Sequence, residues 1–233
     1  MKAFKVDLDS RENQSILKSS TRCSNNQAHQ INEAAEKIHE LIKNAPYSND
    51  NIVLKRNEIK EAFFSPFKPQ LKNAQVFLSH SHADINKALE VKNYLENQTK
   101  RKVFIDSLFW DYKDDVLNEL AEYDDISKIE DAFTLILRES LQDMIEKCPY
   151  FVFLQSNNGV SNQGLSRITY SAWIYEELKI ANTLIADTII KESHIKAMRI
   201  SYDVTNLLGR FKPISLDSLC KKIAFNLITK DAK

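Results

Sequence analysis

Glycine is scarce in this sequence, which has only Gly159, Gly164 and Gly209 among its 233 residues. A loop that cradles phosphate groups needs several glycines at close, fixed spacing, both in dinucleotide-binding folds and in P-loop proteins. No stretch of the chain supplies such a set. The sequence therefore excludes Rossmann-type dehydrogenases and P-loop nucleotidases.

Cysteine and long apolar runs are also sparse. The three cysteines, Cys23, Cys148 and Cys220, are far apart and not arranged as CxxC, which argues against a disulfide framework and against a zinc ribbon. The N-terminal residues lack the apolar core of a signal peptide, and no window approaches about eighteen consecutive apolar residues. We expect a cytoplasmic protein with reduced thiols and no membrane partner.

Neither sign of charge is in excess. Lys plus Arg number 32 and Asp plus Glu number 32, so the formal net charge is zero. Proteins that bind nucleic acid usually present a basic surface. The one basic cluster, residues 100–102, lies between a helical and a strand pattern and is interpreted as a solvated loop. We expect no nucleic-acid partner.

The first part of the chain contains two helical patterns. Residues 1–23 are polar and aperiodic, which predicts a poorly ordered N-terminus. Apolar residues then recur every three or four positions across residues 25–44, the spacing of an amphipathic helix. A shorter helical pattern follows at residues 54–63. These patterns predict an N-terminal helical extension.

Two prolines, Pro66 and Pro69, separate this extension from the rest of the chain, because proline ends helices and extends the residue before it. We assign residues 24–68 to the extension and residues 70–233 to the main domain. Strand and helix patterns alternate in the main domain, which predicts an α/β fold with a doubly wound, five-stranded parallel sheet. The predicted strands are residues 74–80, 102–106, 150–154, 195–200 and 211–214, and the predicted helices are residues 84–98, 129–145, 171–185 and 219–228.

Ligands of such sheets bind beyond the carboxyl ends of the strands. The helix that begins at Ser171 presents Trp173 and Glu177 on one face, because positions four apart lie about 40° apart around a helix, whereas Glu176 points elsewhere. An aromatic ring and a carboxylate are thus presented together. The spacing is also compatible with a Trp173 that packs on the sheet and a Glu177 that is a solvated charge.

Three segments of the main domain resemble Toll/interleukin-1 receptor (TIR) domains. The strand and turn VFLSHSHAD resembles the first sequence box of the family, and VFID with the aromatic-bearing loop after it resembles the second strand and the start of the BB loop. The most specific segment is the helix, where Ser171, Trp173, Glu177 and Leu178 match the pattern Ser-x-Trp-x-x-x-Glu-Leu. The resemblance implies the flavodoxin-like TIR fold.

Some TIR domains hydrolyse or cyclise NAD+, and the resemblance to them implies that Glu177 is the catalytic residue. NAD+ is then a substrate, and neither a cofactor nor a metal is implied. The products would be nicotinamide and either ADP-ribose or a cyclised ADP-ribose signal. The resemblance further implies that substrate contacts come from the remaining matched positions, Trp173, Ser79, His80, Ser81, Ser107, Phe109 and Trp110.

The Asn-, Lys- and Ile-rich composition and the single-TIR layout resemble bacterial anti-phage and NAD-depletion proteins. That likeness implies a downstream effector that senses the product, and the TIR resemblance implies self-association through TIR–TIR contacts. The N-terminal helices have an apolar stripe with no partner of its own, which suggests that they regulate or mediate this assembly; they could equally dock on the core.

A single carboxylate is chemically sufficient for this reaction. Nicotinamide leaves as a neutral ring, so no general acid is needed, and one carboxylate can hold the ribose hydroxyls and stabilise the positive charge at the anomeric carbon. Ordinary glycosidases use two carboxylates because their leaving alkoxide must be protonated.

Two alternatives remain at this point. A non-catalytic TIR scaffold that acts by homotypic association would use the same fold. The run HSHAD at residues 80–84 also imitates the HxHxD motif of dinuclear metallohydrolases, but Ile85 stands where a further ligand is needed and only His194 lies downstream. A Glu is present at the position of the family's catalytic helix residue, which favours the NAD+ nucleosidase over the scaffold.

Overall fold

A computed structural model describes residues 1–17, 37, 40–41, 43–44, 47–48, 51–52, 55–64, 73–105, 117, 127–163, 166–185 and 201–228. The chain divides into two compact units. The first contains residues 1–23, 74–106 and 145–233, and the second contains residues 24–73 and 107–144.

The described elements are as follows. The strands are β1 (Lys2–Asp7), β2 (Tyr47–Ser48), β3 (Asn51–Ile52), β4 (Ala74–Ser79), β5 (Lys102–Ile105), β6 (Tyr150–Gln155), β7 (Ser161–Gln163), β8 (Ser166–Thr169), β9 (Tyr202–Asp203) and β10 (Lys212–Pro213). The helices are α1 (Arg11–Leu17), α2 (Arg56–Phe64), α3 (Ile85–Thr99), α4 (Ser127–Lys147), α5 (Ala172–Leu184), α6 (Thr205–Gly209) and α7 (Leu216–Ile228). A 3-10 turn, His82–Asp84, precedes α3.

The first unit is built on a five-stranded, all-parallel sheet in the order β5-β4-β6-β1-β10. This confirms the predicted α/β class and parallel sheet. The middle strands are apolar and buried on both faces, and the rings of Phe77 and Phe151 stack across β4 and β6 at 5.6 Å. The chain runs from β4 outward to β5 and then crosses to β6 on the other side of β4. The strand order therefore reverses between β4 and β6, where a ligand site is expected.

The prediction of a poorly ordered N-terminus is wrong for β1 and α1. β1 lies inside the sheet and pairs with β6 along its whole length, from Lys2 opposite Tyr150 to Asp7 opposite Gln155. Phe4 and Val6 are buried, while the ammonium group of Lys5 reaches the Leu208 carbonyl at 3.2 Å. Lys2 and Lys5 make β1 difficult to recognise as a strand from the sequence. Both can be part of a strand, because a long lysine stem can lie on apolar surface while its charge reaches a polar partner.

The C-terminal part of the first unit agrees with the sequence in most elements. Helices α3, α5 and α7 and strands β4, β5, β6 and β10 match predicted elements. The predicted strand at residues 195–200 lies outside the described residues, and the place beside β6 is taken by β1. β7, β8 and β9 form a small antiparallel sheet that the sequence analysis did not predict.

The second unit contains the β2–β3 pair, α2 and most of α4. α2 and α4 agree with the predicted helical patterns, whereas most of the predicted helix at residues 25–44 lies outside the described residues. Ion pairs join the two helices, between Arg56 and Glu139 and between Lys60 and Asp143, the latter at 2.7 Å. This unit also contains residues 107–144, which the sequence analysis assigns to the main domain.

Among the described helices, none combines the length and apolarity needed to cross a bilayer.

Two buried thiols provide a test of packing in the first unit. Burial raises the pKa of the Cys148 thiol to about 12 and the pKa of the Cys220 thiol to about 11. Because the thiolate is the reactive form, we expect both to react with a disulfide reagent at pH 8 at least about 100-fold more slowly in the native protein than in urea. In a Cys23→Ser variant, Cys148 and Cys220 are the only thiols that can react with the reagent. A fast reaction of the native protein would contradict their burial.

Candidate active site

Helix α5 positions Glu177, and both ends of the helix are fixed. Ser171 is the N-cap, and its side-chain oxygen accepts a hydrogen bond from the Ile174 amide at 3.2 Å. At the other end, the guanidinium of Arg210 donates to the carbonyls of Asn182 at 3.0 Å and of Ile185 at 2.9 Å. A side chain on this helix is therefore carried by a well-anchored element.

Glu177 lies on the buried face of α5, among Ile174, Leu178 and Ala181, and none of its surface is exposed. The interpretation of Glu177 as a solvated helix charge is therefore wrong. Removing a carboxylate from water costs several kcal/mol unless hydrogen bonds compensate. An apolar residue would fill this helix position at lower cost, so a functional reason for the carboxylate is worth testing.

Ser79 binds this carboxylate. It is the last residue of β4, it is fully buried, and its hydroxyl donates to Oε2 of Glu177 at 2.5 Å. The two residues are 98 positions apart in sequence. The contact places the Glu177 carboxylate at the carboxyl end of β4. This strand is one of the two between which the strand order reverses.

The other predicted substrate-binding residues divide into two groups. Trp173, on the first turn of α5, and Ser81, after β4, are half-buried, whereas His80 is buried. Ser107, Phe109 and Trp110 lie outside the described residues. The structure thus brings together the end of β4 and α5, through the contact between Ser79 and Glu177.

A second polar network, centred on the buried side chains of Asp84 and Ser156, lies in the first unit. Asp84 occupies the N-cap position of α3, but its side chain makes no capping hydrogen bond. Its carboxylate instead accepts hydrogen bonds from the Ser156 hydroxyl and, at 2.9 Å, from the Asn158 side-chain amide. Asp84 therefore joins the turn after β4 to the loop after β6.

Ser156 also organises its own loop. Its side-chain oxygen accepts hydrogen bonds from the amides of Asn158 and Gly159, both at 3.2 Å. Gly159 is packed closely, because a Cβ added there would lie 3.3 Å from the Ser81 Cβ and 3.7 Å from the Ile174 Cδ1. The loop therefore fills the gap between the turn after β4 and the first turn of α5.

Charged groups border this network on the side of β1. The ammonium of Lys87 lies 3.6 Å from Oδ1 of Asp9 and 3.9 Å from Oδ1 of Asp84. Asp9 Oδ2 accepts a hydrogen bond from the Asn157 amide at 3.1 Å. The loops after β1, β4 and β6 are thereby connected.

The HSHAD run does not assemble a metal site among the described residues, where no group of three or more His, Cys, Asp and Glu side chains is placed to hold an ion. His80 is buried, His82 is exposed, and Asp84 binds Ser156 and Asn158.

Asp84 and Ser156 are the residues whose partnership the sequence analysis missed. The only signal was their position, since each follows a predicted buried strand. A hydrogen bond between residues 72 positions apart has no local pattern.

Comparisons with models of protein families, with curated proteins and with solved structures gave no match. The chemistry available at the site must therefore be judged from its residues. One buried, hydrogen-bonded carboxylate can stabilise positive charge that develops on a bound ligand.

Proposed function

We propose that this chain is a NAD+ nucleosidase of the TIR type and that Glu177 is its catalytic carboxylate. The observation that carries the proposal is the position of Glu177, buried at the carboxyl end of β4 and bound there by the Ser79 hydroxyl. The strand order β5-β4-β6-β1-β10 is compatible with the flavodoxin-like order 2-1-3-4-5. In this correspondence β4 is the first strand, β5 the second, β6 the third, β1 the fourth and β10 the fifth.

The proposed reaction breaks the bond between the ribose anomeric carbon and the nicotinamide nitrogen. The electron pair of that bond goes to the nicotinamide ring, which leaves neutral, and the ribose carbon becomes positively charged. Glu177 stabilises this charge and holds the ribose hydroxyls. Water then adds to the anomeric carbon and loses one proton, which gives ADP-ribose; attack by a nitrogen of the adenine ring gives a cyclised product instead.

Two neighbouring residues have supporting roles in this proposal. Ser79 donates a hydrogen bond to one carboxylate oxygen of Glu177, which fixes the rotamer of the side chain. Trp173, one turn before Glu177 and half-buried, provides an aromatic surface on which a ring of the dinucleotide can stack. The same proposal includes self-association through TIR–TIR contacts, a downstream effector that senses the product, and a role in bacterial anti-phage defence.

We expect the purified full-length protein to release nicotinamide from NAD+. Nicotinamide should be quantified by chromatography, and the accompanying product should be identified by mass spectrometry as ADP-ribose or its cyclised form, which differ by the mass of one water. The assay should be repeated at high protein concentration, because self-association belongs to the proposal. Absence of nicotinamide above a heat-inactivated control in every condition would contradict the nucleosidase and favour the scaffold.

A further inference from the structure

The site has a feature that its proposed function does not explain. Glu177 and Ser79 both have no exposed surface. A carboxylate that stabilises a ribosyl cation must contact the ribose, so a fully covered Glu177 cannot act on NAD+ in this conformation. This inference rests on the proposed function. If that function is correct, a segment of the protein that covers Glu177 must move before NAD+ binds.

The loop after β6 is the described segment placed to make this movement. Residues 156–160 lie against the two segments that hold the Ser79–Glu177 pair, since Gly159 packs between Ser81 and Ile174. Ser81 follows Ser79 by two positions, and Ile174 precedes Glu177 by three, on the same side of α5. We refer to residues 156–160 as the closing loop.

Asp84 is the residue that holds the closing loop in place. It forgoes the usual capping bond to its own helix and instead binds Ser156 and Asn158 with its two carboxylate oxygens. An N-cap aspartate normally gains stability from the exposed amides of its helix. Because the Asp84 carboxylate bonds the closing loop and not its own helix, it connects the turn after β4 specifically to that loop.

We infer that the hydrogen bonds between the closing loop and Asp84 act as a latch that keeps the active site closed. The loop must leave the gap between Ser81 and Ile174 before NAD+ can reach Glu177. The closed form is inactive, and breaking the latch raises the population of the open, active form. The structure corresponds to the closed form.

A disulfide can lock this form. A Cβ at Gly159 would lie 3.3 Å from the Ser81 Cβ, close to the Cβ–Cβ separation of roughly 3.5–4.5 Å found in disulfides. The variant Gly159→Cys/Ser81→Cys, made on a Cys23→Ser background, should therefore oxidise readily. We expect its rate of nicotinamide release to be at least about 20-fold lower when oxidised than after reduction, while each single-cysteine variant is insensitive to the reductant.

Breaking the latch should have the opposite effect. Asn158→Ala removes one hydrogen bond to Asp84 and should raise kcat/KM for NAD+ about tenfold, since a hydrogen bond to a charged group commonly contributes that factor. Asn157→Ala is the matched control, because Asn157 is the adjacent asparagine, is likewise exposed, and makes its hydrogen bond to Asp9 through its backbone amide, which the substitution retains. We expect no change from Asn157→Ala.

A third measurement does not depend on catalysis. Glu177→Cys on the Cys23→Ser background carries a thiol at the covered position, and its reaction with a small thiol reagent should be about tenfold faster when combined with Asn158→Ala than with Asn157→Ala. Equal labelling rates in the two combinations, or equal and measurable rates of nicotinamide release by the oxidised and the reduced disulfide variant, would overturn the latch. If no variant releases nicotinamide but labelling still responds to Asn158→Ala, the latch stands and the nucleosidase fails.

Discussion

Replacing Glu177 by glutamine is expected to lower the rate of nicotinamide release by at least about 100-fold, the loss usually seen when a group that stabilises transition-state charge is removed. Glutamine has the same shape and retains an oxygen that can accept the hydrogen bond from Ser79. It lacks the negative charge that the proposed ribosyl cation requires. The decrease should appear in kcat, because positive charge develops on the anomeric carbon only as the reaction approaches its transition state.

The matched control is Glu176→Gln, one position earlier on α5. Glu176 is half-exposed, whereas Glu177 is buried, so the two variants remove the same charge from the same helix in different surroundings. We expect the activity of Glu176→Gln to stay within about threefold of the wild type, because an exposed charge is screened by solvent.

Thermal unfolding separates a catalytic role of Glu177 from a structural one. Burial of a carboxylate is costly, so the neutral glutamine should leave the melting temperature unchanged or raise it. A structural role would instead lower it, since a loss of 1 kcal/mol moves the melting temperature of a protein of this size by about 2–4 °C. Full activity of Glu177→Gln, with a clean assay blank, would refute the assignment whatever its stability.

The sequence predicted this site in part. Helical spacing placed Trp173 and Glu177 on one side of α5, and the rule for parallel sheets directed attention to the residues after β4. Neither rule could predict that Ser79 and Glu177 are directly bonded or that both are fully buried, because these facts depend on how α5 packs. The partners of the Asp84 carboxylate could not be predicted for the same reason, since Ser156 and Asn158 lie on another loop.

The fold was predictable wherever an element was long and regular. α3, α5 and the buried strands β4 and β6 have strong apolar patterns and were located to within a few residues. The N-terminal strand was not located, because Lys2 and Lys5 interrupt its apolar residues and no helical or alternating pattern spans a long enough window. A strand pairs with residues far away in sequence, so its place in a sheet is set by those partners.

Phe4→Ala should be among the most destabilising substitutions in the first unit. Phe4 is 2% exposed, stacks on Tyr150 of the neighbouring strand at 6.4 Å, and has the ammonium of Lys222 5.3 Å from its ring centroid. Truncation of a buried phenylalanine to alanine typically costs about 3–5 kcal/mol, from lost burial and the cavity that remains. That loss is a large fraction of the about 5–15 kcal/mol by which a domain is stable.

The comparison with Phe225→Ala makes this test specific to the position of β1. Phe225 lies on α7 and is 67% exposed, so its truncation should change the free energy of unfolding by less than about 0.5 kcal/mol. Both variants should be unfolded in urea on a Trp110→Phe background, which leaves Trp173 on α5 as the fluorescent reporter within the first unit. Equal stability of the two variants would mean that the N-terminal segment is not a strand of the sheet. A selective loss in Phe4→Ala would instead mean that β1 is part of the core of the sheet, because β6 and β10 are both paired with the strand that carries Phe4.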